Sequence, residues 1–214
     1  MNPLDPILHL DKYLAAIISA FGGWTYVFLF LIIFLETGVV IFPFLPGDSL
    51  LFAAGALAAI GTLDVWILWV ILVLAAVFGD TLNYWIGAKV GPQVFKKDYG
   101  IFFRREYLTK TNAYFNSYGK KTIILARFIP IVRTFAPFVA GIGNMNYAKF
   151  LVYNIIGALL WVTIFVFGGY YFGNLPFIKN NFGIVIVAII VVSLLPIVCE
   201  IMYHKLWKKD VVAK

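Results

Sequence analysis

The chain has 214 residues, of which 63% are hydrophobic and only 13% charged, with a formal net charge of +7. Soluble domains carry about 25% charged residues, so this composition describes one integral membrane domain, residues 1–214, and excludes a sizeable soluble one. The positive charge is not a nucleic-acid footprint: its two clusters, Lys89–Lys121 and Lys205–Lys214, adjoin hydrophobic runs and read as a positive-inside signal.

In chain order, residues 7–21 alternate apolar and polar groups at helical spacing and carry His9, Asp11 and Lys12. They predict an interfacial helix, not a signal peptide, since no basic stretch precedes an apolar core. Residues 24–60 predict a first span followed by a re-entrant segment. Trp24–Phe42 is long enough to cross but contains Glu36. Phe42-Pro43-Phe44-Leu45-Pro46-Gly47-Asp48 then breaks any helix. Ser49–Ile60 is apolar but measures only about 18 Å as a helix, against a hydrocarbon core of roughly 30 Å.

Residues 65–87 predict a span with Asp80 inside it and Trp66, Trp69 and Trp85 toward its ends. Residues 88–121 are polar, basic and tyrosine-rich, and predict a cytoplasmic segment with a surface helix near 105–118. Residues 122–141 are apolar yet hold Arg127, Pro130, Arg133 and Pro137, the pattern of a second re-entrant hairpin. Residues 147–173 and 182–203 predict two further spans, and 204–214 a cytoplasmic tail. Two basic cytoplasmic segments need an even number of crossings between them, and a hairpin that enters and returns supplies it. The predicted fold class is therefore all-α, with two opposed re-entrant hairpins plus transmembrane helices.

The halves echo each other at an offset of 86 residues, as Ala54-Gly55 matches Ala140-Gly141 and Tyr84–Gly87 matches Tyr170–Gly173. Opposite span directions make this an inverted repeat, which puts a site near the midplane. The spacings Gly87/Gly91 and Gly169/Gly173 suit close helix packing.

Charge inside these segments is expensive, roughly 2.5–3.5 kcal/mol per ionised group at the bilayer centre. Glu36 and Asp48 are candidate proton-coupling residues, because a low-dielectric site lets a carboxyl load and release protons near neutrality. The alternative is permanent pairing with an arginine, and Asp48 also suits a helix N-cap. Arg127 and Arg133 flank Pro130; a guanidinium binds phosphate bidentately, so the pair is a candidate phosphate site, unless it only neutralises the acids. Asp80, Asn83, Pro46 and Pro130 are candidate cavity-lining residues, with local hydrogen bonding the other reading of Asp80.

No phosphate-cradling loop, dinucleotide fingerprint or HExxH motif is present, and the two histidines and the single Cys199 cannot build a zinc site. No enzyme activity, catalytic residue, metal or cofactor is expected. The expected partners are membrane lipids and protons, not nucleic acid, and the sequence admits a homo-oligomer without specifying one.

Four segments carry a likeness: Glu36-Thr37-Gly38; Phe42-x-Pro-Phe-Leu-Pro-Gly47-Asp48-Ser49; Gly79-Asp80-x-x-Asn83-Tyr84; and Arg127-Phe128-x-Pro130-x-x-Arg133 followed by Ala140-Gly141. Together they resemble the bacterial DedA family of the SNARE-associated, or VTT-domain, superfamily, over nearly the whole length. One position departs: Ile124 stands where the family pattern often has an aromatic. The resemblance implies an inner-membrane protein with two opposed re-entrant hairpins, dependence on the proton-motive force, and roles in envelope homeostasis and cell division. Several relatives are linked to moving undecaprenyl phosphate or phosphatidylethanolamine across the bilayer. It ties acids at the positions of Glu36 and Asp48, and arginines at those of Arg127 and Arg133, to activity. Three functions follow as expectations: a lipid-phosphate translocase, a proton-coupled antiporter of small cations or drugs, or a non-transporting assembly factor.

Overall fold

The computed structural model describes residues 20–39, 47–94, 118–180 and 185, and these are helical or in turns with no strand among them. In chain order they form α1 (Trp24–Gly38), α2 (Gly47–Ala59), α3 (Val65–Val94), α4 (Thr122–Ala126), α5 (Pro130–Ile142), α6 (Tyr147–Gly173) and α7 (Pro176–Asn180). A single 3₁₀ turn, Gly119–Lys121, leads into α4. The predicted interfacial helix lies outside the described residues except at its end. So do residues 42–46 of the first proline break, Pro46 included, most of the basic segment, the 182–203 span apart from residue 185, Cys199 and the tail.

Among the described residues, two helices are long and apolar enough to cross a bilayer: Val65–Lys89 and Tyr147–Gly173. The sequence ends the first at Gly87; its helix runs on to Val94, through Gly91 and Pro92. α1, α2 and α5 have 15, 13 and 13 residues. At 1.5 Å per residue they reach only about 20–23 Å, short of a roughly 30 Å core.

Large apolar side chains point outward on both long helices, among them Ile67, Val70, Leu74 and Phe78 on α3 and Ile155, Leu160 and Ile164 on α6. Buried inside instead are Glu36, Asp80, Asn83, Arg127, Arg133 and Asn154. A greasy exterior over a polar interior is unfavourable in water and natural in lipid.

The short helices pack on the long ones: α2 chiefly against α6, and α5 chiefly against α3. Small residues permit this. A Cβ on Gly55 would come within 2.1 Å of the Val166 carbonyl oxygen, and one on Gly141 within 2.1 Å of that of Tyr84. One on Gly169 would come within 2.0 Å of the Phe52 oxygen, and one on Gly87 within 2.2 Å of that of Phe138. Backbone carbonyls cannot rotate aside, so only glycine fits these crossings. The short helices correspond at the offset of 86 read from the sequence (52 with 138, 55 with 141). The long helices correspond at 82 (84 with 166, 87 with 169). The match of Tyr84–Gly87 to Tyr170–Gly173 is thus one helical turn out of the packing register.

Candidate functional site: two buried ion-pair nests

α5 begins at a break. Residues 127–129 are turned, Ile129 is extended, and Pro130 occupies the first helical turn, where its missing N–H costs nothing. Arg127 therefore ends α4 while Arg133 sits in α5, and the two guanidiniums enter the interior from different helices.

Arg133 meets both acids of the first half. Its Nη2 donates to Glu36 Oε1 at 2.5 Å, and its Nη1 to Asp48 Oδ1 at 2.7 Å. Asp48 lies in the first turn of α2, where the helix dipole favours negative charge. Its Oδ1 also accepts Trp161 Nε1–H at 2.8 Å. Gly47 leaves room for Glu36: a Cβ there would lie 1.9 Å from Oε2. Access is uneven, with the Glu36 and Arg133 side chains 1% and 5% exposed but that of Asp48 36%. Asp48 is the member of this nest that meets the surroundings.

Arg127 belongs to a second nest. Its Nη2 donates to Asp80 Oδ2 and to Asn154 Oδ1, each at 2.5 Å, and Asn154 Nδ2 donates to the Val77 carbonyl at 3.0 Å. The Arg127 and Asp80 side chains are 2% and 4% exposed, so this nest is closed on every side. The nests share one ring: the guanidinium carbons of Arg133 and Arg127 lie over Trp161 at 5.1 and 5.8 Å from its centroid.

The backbone that carries these groups is pinned by polar atoms. Asn83 Nδ2 donates to the carbonyls of Thr37 and Thr134, at 3.2 and 2.8 Å, so it grips the residue after Glu36 and the residue after Arg133 at once. Beside it, a Cβ on Gly79 would lie 1.8 Å from Thr37 Oγ1, which is how α1 comes close to α3 at Asp80.

The structure therefore brings Glu36, Asp48 and Arg133 together, and Arg127 with Asp80. Asn83 is a brace between two helices. Pro130 supplies the break, and Pro46 lies outside the described residues. Asn154 and Trp161 are additions that sequence reasoning passed over. Each carried a signal: an amide inside an apolar span, and a tryptophan midway along Tyr147–Gly173 rather than at the interfacial ends. No group of three or more His, Cys, Asp or Glu side chains among the described residues is placed to hold a metal ion.

A helical membrane protein with arginine–carboxylate nests at the centre of its crossing helices is the class defined by fold and site. The VTT domain family model matches residues 45–171, which include Asp48, Asp80, Arg127 and Arg133. The chain is 54% identical over 204 residues to Protein DedA of Escherichia coli (strain K12), covering 94% of this chain and 93% of that protein. It is 43% identical over 195 residues to the uncharacterized membrane protein Rv0364 of Mycobacterium tuberculosis (strain ATCC 25618 / H37Rv), covering 90% and 83%. It is 34% identical over 154 residues to the inner membrane protein YqjA of E. coli (strain K12), covering 72% and 70%. No solved structure matches. The chain belongs to the DedA family of VTT-domain membrane proteins.

Proposed function

We propose that this protein is a proton-motive-force-dependent transporter, not an enzyme, that moves the phosphate headgroup of a lipid across the bacterial inner membrane in support of envelope homeostasis. The lipid is undecaprenyl phosphate or a phospholipid, and its apolar tail stays in the bilayer. The chain crosses several times with its C-terminus cytoplasmic, as the basic clusters favour. The two halves form an inverted repeat with opposed re-entrant hairpins; the reciprocal crossings of α2 on α6 and α5 on α3 support that reading.

The observation that carries the proposal is the charge balance around Arg133. Two carboxylates address one guanidinium, and one of them is open to the surroundings. With both acids ionised the nest holds a surplus negative charge in a low-dielectric interior, which a proton removes. Protons on Glu36 and Asp48 release Arg133, which then binds a phosphate oxygen through its fork of donors. Loss of those protons restores the pairs and expels the phosphate, so the grip is reversible. Arg127 is neutralised by Asp80 and reaches the phosphate only if Asp80 yields.

The test is reconstitution into liposomes with labelled undecaprenyl phosphate. Headgroup movement driven by a proton gradient is expected, and its loss on replacing Arg127 and Arg133 by alanine. Unchanged movement in that variant defeats the proposal. Cation flux in liposomes without a lipid cargo would instead favour the antiporter. A second reading has its own support: the Arg127–Asp80–Asn154 nest is closed, as a structural lock in an assembly factor would be. Exchanging Glu36 and Arg133 should then preserve function, which a transport site would not tolerate.

A further inference from the structure

Trp161 is wholly buried, halfway along α6, and holds the only polar atom that touches the open nest from that helix among the described hydrogen bonds. A buried indole N–H needs an acceptor. This one takes Asp48 Oδ1, the oxygen that also accepts Arg133 Nη1. The same ring lies beneath both guanidinium carbons. One turn earlier, α6 makes room for the second arginine, since a Cβ on Gly157 would lie 3.0 Å from both Cδ and Nε of Arg127. Two cations held over one ring repel each other, and the indole face attracts each.

We infer that Trp161 is a positioning residue that couples the two nests: its N–H holds Asp48 in register with Arg133, and its ring fixes Arg133 relative to Arg127. When Arg133 lets go of Asp48, the indole keeps the carboxyl in place for re-pairing, and the change is felt at Arg127 through the shared ring. Simple packing in the apolar core is the competing account, and it gives no reason for Trp161 to respond to charge at residue 48 or 80. The coupling stands on geometry; only its effect on phosphate rests on the transport reading above.

The test labels the full chain in nanodiscs with 5-fluorotryptophan. The Trp161 resonance is the one lost in Trp161→Phe. Asp48→Asn and Asp80→Asn should each shift it while leaving the resonance of Trp24 in place. Should Asp80→Asn fail to accumulate, Asp80→Glu displaces the same charge by one methylene. A resonance that moves with neither substitution, or with Asp48→Asn alone, overturns the coupling. In a second arm, Trp161→Phe should tighten binding of dihexanoyl phosphatidic acid by about tenfold, because Asp48, which competes with phosphate for Arg133, loses the hydrogen bond that holds it in register. Equal affinity overturns the part of the inference that concerns phosphate. If the unmodified chain does not bind this probe, the transport reading fails, and the fluorine shifts still decide the coupling.

Discussion

The two arginines of this protein have the same chemistry and opposite circumstances. Arg127 is enclosed with Asp80 and Asn154, one carboxylate per guanidinium, with nothing in contact with the surroundings. Arg133 holds two carboxylates, one of which, on Asp48, is about a third exposed. A closed, balanced pair has no low-energy way to change partner, because separating it strands a buried charge. An open, over-supplied pair can exchange a carboxylate for a proton and another anion. The contrast teaches that proximity to the site does not make two charges equivalent; access and charge balance decide which one can turn over.

The largest effect is expected where the balance is strictest. Asp80→Asn leaves Arg127 buried without a counter-charge, and a guanidinium cannot shed its proton, so stability should fall by about 3–5 kcal/mol. Denaturation of the purified protein in detergent measures it. Next come the crossings under both nests. Gly55→Ala and Gly141→Ala each push a methyl group into a backbone carbonyl and should each cost about 3 kcal/mol, the upper end for overpacking. Nearly equal losses for the two would sharpen the correspondence between the halves, and a large inequality would break it.

Asn83→Leu removes two buried hydrogen bonds that hold the Glu36 and Arg133 backbones, for about 2 kcal/mol. Headgroup movement in liposomes should fall along with stability. The smallest stability effect belongs to Asp48→Asn, about 1 kcal/mol or less, since Arg133 keeps Glu36 and residue 48 keeps its contact with the surroundings. Transport should nonetheless fall sharply in this variant. If Asp48→Asn unfolds the protein as severely as Asp80→Asn, the two nests are energetically alike and the contrast between them is lost.

Much of this was legible along the chain. The membrane class followed from composition, and the short helices from prolines that interrupt apolar runs. Glu36, Asp48, Asp80, Arg127 and Arg133 stood out because charge in such runs is costly. The pairing was not legible. Arg133 reaches back 97 residues to Glu36 and 85 to Asp48, while Arg127 turns instead to Asp80. A proline break between the arginines suggested one shared clamp; in the folded chain that break sends them to different partners.

Hydropathy and helix breaking are local properties, so the sequence by itself determined which segments are apolar, where they break, and which side chains would be out of place in lipid. The tertiary structure alone decided which charges neutralise one another, which carboxylate stays open, and that Trp161 and Asn154 complete the nests. The reason is reach: a side chain meets only what adjacent helices bring within about 3 Å, and that depends on crossing points set by glycines far apart in the chain. A slip of one turn, such as separates the repeat in the sequence from its register in the packing, moves every partner by about 5 Å and would dissolve both nests.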